Sequence, residues 1–184
     1  MSQRALVAGL TLLAILLVAG VVHVGSLLVL PLVAPDDAFA RLAAAVPEGT
    51  VSALPRGGSA AAILPGRDPS MASAVCRYDL ARGPLRVSAP LGGDAFVAVT
   101  LHSRSGIAFY GLNDRARNED RLELVVMTPA QLAEARAKDA ADAPVRDVRV
   151  AAPQARGFVL FDVLPRAGGD AAARRALSAM SCRR

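Results

Sequence analysis

From Ala5 to Ala34 the chain carries no Asp, Glu, Lys or Arg. A helix over that stretch would be roughly 45 Å long, against a bilayer hydrocarbon core of about 30 Å. It is long enough to cross with tilt, or with its ends in the interface. Leu6 to Leu30 is the expected embedded part. Pro31 marks its expected end, because proline cannot donate the next helical hydrogen bond. The apolar core of a cleaved signal runs to only about 7–15 residues. An Ala-x-Ala match at Ala38, Phe39 and Ala40 lies beyond Pro35, Asp36 and Asp37, too far from such a core. The expectation is an uncleaved transmembrane anchor over residues 1–34, followed by one domain over 35–184.

Flanking charge sets the expected orientation. Arg4 and the N-terminal amine precede the apolar stretch, and Asp36 and Asp37 follow it. The positive-inside bias puts the N-terminus in the cytoplasm and the domain on the periplasmic side of a cell inner membrane. His23 falls inside the span, where an ionisable group is a functional candidate by default. Gly20, Gly25 and Ser26 beside it would let another helix approach, so a helix contact is the favoured role.

The remaining residues read as an ordinary globular domain with few aromatics, five Phe, two Tyr and no Trp in the whole chain. Formal charge is +5, and Lys138 is the one lysine among 21 basic residues. The arginines are interleaved with acids, as in Asp114, Arg115, Arg117, Glu119, Asp120 and Arg121. That is a solvated surface, not the basic stripe of a nucleic-acid binder.

Beyond Asp36 the pattern predicts a short amphipathic helix to Val46, then period-two segments. Strands are expected at 50–54, 74–80, 85–89, 96–102, 107–112, 122–127, 145–150 and 158–164, with a hairpin loop at Ser103 to Gly106. Asp68 and Pro69 suit a helical turn. Thr128 and Pro129 suit the start of a helix to Lys138, and Asp170 the start of one to Met180. The fold class expected is mainly β, an antiparallel β-sandwich or jelly-roll-like domain with one or two peripheral helices after the transmembrane helix.

The residues supply little chemistry. His102 is the one histidine outside the anchor and sits beside Ser103 and Ser105, but no Gly-x-Ser-x-Gly elbow exists. It reads as a solvated turn residue. Glu119 and Asp120 look like solvated charge. No metal ligand set, phosphate loop or dinucleotide fingerprint is present, so no catalytic, metal or cofactor residue is expected. Cys76 and Cys182 are the only cysteines. In an extracytoplasmic domain they are expected to form a disulfide.

Several runs also carry a resemblance. Asp68-Pro69, Val75-Cys76-Arg77-Tyr78-Asp79-Leu80, Gly83-Pro84-Leu85-Arg86-Val87, Phe109 to Asp114, and Leu124 to Leu132 occur in that order. They resemble the bacterial domain-of-unknown-function family numbered 1254. The small membrane-anchored branch of that family also has a helix with an internal His ahead of Leu-Pro, like His23 and Leu30-Pro31. The resemblance implies a mostly β domain of the cell envelope, often beside or fused to a second such domain, numbered 1214, which this chain is expected to lack. It implies no activity. Tyr110, Asn113 and Asp114 are the candidate shared interaction surface, with a self-bonded Asx turn as the simpler reading.

The leading expectation is a non-catalytic envelope interaction or assembly module in the lipid bilayer, meeting a companion envelope protein or copies of itself, with no cofactor. The alternative is a periplasmic enzyme or small-ligand-binding domain whose site assembles from distant strands.

Overall fold

A computed structural model describes residues 2–33, 37–56, 63–91, 95–116, 121–139, 148–165 and 169–184. The chain divides into two units, Met1–Pro35 and Asp36–Arg184.

The first unit is one helix, α1 (Gln3–Val33). Leu10, Leu17, Val21 and Leu28 are among its exposed apolar side chains. The segment Gln3–Leu30 is long and apolar enough to cross a membrane. The helix continues past Pro31, the residue expected to end it. Proline costs a single amide donor, and at a helix end that loss is easily absorbed. Inside α1 the hydroxyls of Thr11 and Ser26 donate back to the carbonyls of Val7 and Val22.

The second unit holds α2 (Ala38–Ala43), β1 (Ser52–Ala53), β2 (Ala72–Asp79), β3 (Leu85–Pro90), β4 (Ala95–Ser103), β5 (Ala108–Asn113), β6 (Arg121–Met127), α3 (Pro129–Lys138), β7 (Val148–Ala151), β8 (Arg156–Pro165), α4 (Gly169–Ser178) and β9 (Ser181–Arg183). They form a five-stranded sheet, β1-β2-β8-β4-β5, and a four-stranded sheet, β7-β6-β3-β9. The inward positions of both meet in one apolar cluster. It contains Cys76 and Tyr78 of β2, Val97, Val99 and Leu101 of β4, Val159, Phe161 and Val163 of β8, Val87 of β3, Leu124 of β6 and Cys182 of β9. Strict alternation along β4 produces this face; β8 turns Val159, Phe161 and Val163 inward, while Phe158 is buried on the outer side.

Cys76 and Cys182 form a disulfide with Cα atoms 6.5 Å apart. It ties the central strand β2 to the edge strand β9, and so one sheet to the other.

Three expectations change. The strands are not all antiparallel, because β7 runs parallel to β6. The helix between them explains this, since a helical crossover brings the chain back in the same direction. Thr128 and Gln131 form a full capping box that fixes where α3 begins. The expected first strand shrinks to two residues. The last helix stops at Ser178, and the chain then pairs as β9. Glu119 and Asp120, and residues 145–147 of the expected seventh strand, lie outside the described residues.

The outer faces are also covered. Leu132 of α3 packs on Val125 and Met127. Leu42 and Val46, with Leu54 and Leu64, pack on Val75 and Phe158 of the five-stranded sheet. This second covering creates the candidate site.

Candidate functional site

Residues at alternate positions of β2, β8 and β4 form rows across the outer face of the five-stranded sheet. Ser73, Asp162 and Ala98 share one row, and Val75, Leu160 and Thr100 the next. Arg77, Phe158 and His102 form the third. Helix α2 and the segment from Ile63 to Met71 cover part of this face. They leave a cleft of about 430 Å³ whose walls include Leu64, Met71, Leu160, His102 and Asp162.

The rim is held by local hydrogen bonding. Asp37 caps α2, its Oδ1 accepting from the Ala40 amide at 2.7 Å. Its other oxygen takes Arg104 Nε at 2.6 Å, and the Phe39 amide donates to the Arg104 carbonyl, so the β4–β5 hairpin is fastened to α2. Arg77 stands 4.9 Å from the Phe39 ring centroid and donates to the Val46 carbonyl. The opposite wall is pinned by arginines: Arg41 Nε donates to the Ile63 carbonyl, and Arg67 to those of Leu64 and Pro55.

His102 is not the solvated turn residue expected from its neighbours. Its ring stacks on Phe158 with centroids 4.8 Å apart and planes 2° from parallel. Nδ1 lies 2.9 Å from the Gly106 carbonyl oxygen. A carbonyl only accepts, so Nδ1 carries the proton, and a neutral ring then presents a bare lone pair at Nε2. That Nε2 is buried and has no hydrogen-bond partner among the described residues. Gly106 can supply its carbonyl because its φ of +92° suits glycine alone, and a Cβ there would press on Ala38 at 3.1 Å.

Asp162 is the one charged residue in the otherwise apolar run Phe158 to Leu164 of β8. Its Oδ1 accepts the Ser73 hydroxyl at 2.6 Å. Burial raises its pKa; the Ser73 hydrogen bond and the charge of Arg67 oppose the shift. An acid whose pKa is raised by folding contributes most stability while protonated and loses it as pH climbs through the folded value. Asp162→Asn keeps the Ser73 contact and should therefore melt above the native protein at neutral pH. The gap should close on acidification through the carboxylate range, as thermal melts across pH would check. Asp68, at the mouth, has its pKa lowered by Ser70, whose hydroxyl and amide both donate to it.

The serines beside His102 serve the hairpin instead. Ser103 Oγ and Ser105 Oγ are 3.0 Å apart, and Ser103 Oγ accepts from the Ile107 amide. Among the described residues no hydroxyl is bonded to the His102 ring, and no cluster of three metal-ligating side chains occurs.

The other sequence candidates lie elsewhere. Tyr110 packs against the inner core from edge strand β5. Asn113 Oδ1 accepts from the Arg115 amide at 3.0 Å, the self-bonded turn. Neither joins the cleft, nor does Asp114. His23 belongs to α1. Asp162 went unremarked in the sequence, where its one signal is a carboxylate at an alternate position of the run Phe158 to Leu164. A second groove, of about 510 Å³, crosses the outer face of the four-stranded sheet near Arg86 and Arg183. There Arg121 donates to Ser88 and Arg184 pairs with Glu48, so that groove is largely satisfied internally.

The fold is similar to that of the VPA0106 protein from Vibrio parahaemolyticus, with a TM-score of 0.53 at 13% identity, covering 79% of this chain and 34% of that one. The chain thus spans about a third of that protein's length. A Burkholderia cenocepacia protein described as uncharacterised matches at a TM-score of 0.43 and 15% identity, over 71% of this chain and 33% of that one. No protein-family model and no curated protein matches the chain.

Proposed function

We propose that the chain is a single-pass inner-membrane protein that displays a non-catalytic binding module of the cell envelope in the periplasm. Helix α1 supports the anchor. The Cys76–Cys182 bridge supports an oxidising compartment, because cytosolic thiol pools keep such pairs reduced. Arg4 ahead of α1 and the acids after it support the orientation. The two sheets, sharing one core, are read as a sandwich. The resemblance to the 1254 family fits an envelope setting, and a companion protein or a second copy of this chain is the expected neighbour.

The observation that carries the binding role is the cleft of about 430 Å³ on the outer face of the five-stranded sheet, whose walls join the apolar Leu64, Met71 and Leu160 to the polar His102 and Asp162. Ser103 and Ser105 are committed to the hairpin, which favours recognition over hydroxyl chemistry. The enzyme reading has one observation on its side: β4 and β8, distant in sequence, bring His102 and Asp162 into the same cleft.

A thermal-shift screen of small metabolites against the full chain in detergent tests the role. A ligand held at about 100 times its dissociation constant adds about 2.7 kcal/mol. Melting increases of several degrees are expected, and they should vanish in Leu160→Trp, which fills the cleft. Shifts that persist in that variant, or none in the native chain, would contradict the reading.

A further inference from the structure

We propose that the second groove, on the outer face of the four-stranded sheet, binds a small soluble phosphate monoester by its doubly charged phosphoryl group. The hydrogen bonding of this groove is largely met within the chain, but its charge is not. Arg86, Arg121, Arg183 and Arg184 line it, and Glu123 is the one acid among its described lining residues. Arg121 Nε lies 3.9 Å from Glu123. Glu48 reaches Arg184 from outside the lining and is shared with Arg82 at 4.0 Å. Set against those two carboxylates, the four lining guanidiniums leave two positive charges at the groove.

The sheet register concentrates this surplus. β3 and β9 pair so that Arg86 lies directly opposite Arg183. Both are exposed on the outer face, because Leu85, Val87 and Cys182 turn into the core. Like charges directly opposite on a sheet weaken the pairing. The Cys182 bridge to Cys76 holds β9 in place all the same. An anion shared by the two guanidiniums would remove the repulsion. Two residues along, Ser88 lies opposite Ser181. Ser88 Oγ accepts from Arg121 Nε at 2.6 Å, so its own hydrogen remains a donor. The side chains of Ser181 and Arg183 make no hydrogen bond or ion pair among the described residues. Forked guanidiniums beside hydroxyl donors suit an oxyanion. A phosphate monoester brings about 1.5 to 2 negative charges and three acceptor oxygens, whereas a carboxylate would neutralise one charge. At about 510 Å³ the groove has the size of a small-molecule site. It shares no lining residue with the cleft at His102.

Calorimetric titration of the full chain in non-ionic detergent, at constant ionic strength, compares glycerol 3-phosphate, acetate and micelles carrying phosphatidic acid. Glycerol 3-phosphate should bind, and acetate should bind at least about tenfold more weakly. Arg183→Gln should weaken the phosphate ester by about tenfold or more, the loss expected for charge-assisted bonds. Arg174→Gln removes the same charge from an exposed position outside the groove and should bind as the native chain does. Leu160→Trp, which fills the other cleft, should also leave this binding intact, and the metabolite screen of that cleft is read on ligands without phosphate. Without ligand, Arg183→Gln should melt about one to three degrees above the native chain, because the opposed charges are gone. No binding of glycerol 3-phosphate, acetate binding equally well, or equal losses in Arg183→Gln and Arg174→Gln would overturn the proposal. Binding of phosphatidic acid micelles alone would assign the groove to a lipid surface and overturn the soluble ligand. An Arg183→Gln chain that melts below the native one would contradict the argument from the opposed pair.

Discussion

Replacing Cys76 and Cys182 together by alanine should lower the stability of the unit Asp36–Arg184 by up to about 5 kcal/mol. The bridge closes a sequence separation of 106 residues, and loop-closure entropy grows with that length. The native state has its own reason to miss it. Strand β9 is three residues long and pairs with β3 only at Ser181, Cys182 and Arg183. Both cysteines are buried in the shared core, so the sulfur bond fastens β9 to a central strand of the opposite sheet. Urea unfolding of the full chain, followed by circular dichroism with and without reductant, checks this. The native chain under reductant should fall to the level of the double variant, and the variant should not respond. Equal midpoints for oxidised native chain and variant would show that the bridge contributes nothing.

Gly157→Ala should cost about 3 kcal/mol or more, at the upper end for overpacking a well-packed site. Gly157 lies between Tyr78 on β2 and Ser103 on β4. A Cβ there would sit 2.5 Å from the Tyr78 oxygen and 2.8 Å from Cζ, and closer still to the main-chain oxygen of His102. The tyrosine ring is buried and its hydroxyl donates to that same carbonyl, so neither obstacle can swing aside. Relief requires β4 and β8 to part at the register where His102 meets Phe158. The variant should therefore lose the ring stack and cleft binding as well as stability. A melting temperature within a degree or two of the native one would contradict this packing.

The elements most legible in the sequence were those whose signal is local. The uncharged run that became α1, the alternation of β4, the apolar run of β8, and the Thr128-Pro129 start of α3 each carry their own evidence. The parallel pairing of β7 with β6 was less legible, since strand direction depends on the connection as well as on the strand. Strand β9 was hidden because three residues have no period to read. The cleft was hidden for another reason. His102 beside two serines looks like a turn, and only the pairing with Phe158 and the covering by α2 bury its Nε2. Asp162 was visible as a charge within an apolar strand. Its partner Ser73 lies 89 residues earlier, a contact no local pattern reveals. The candidate surface at Tyr110 and Asn113 was read from a sequence run that folding divides between core packing and a turn.

The most direct test of an anchored, extracytoplasmic domain is the thiol state of the chain in intact cells. Cells expressing the full chain are quenched in acid, and carbonate-washed membranes are denatured and treated with a maleimide-linked polyethylene glycol. The protein should appear in the membrane pellet, unlabelled until reductant is added and then carrying two labels. Recovery in the soluble fraction, or two labels without reductant, would contradict the account.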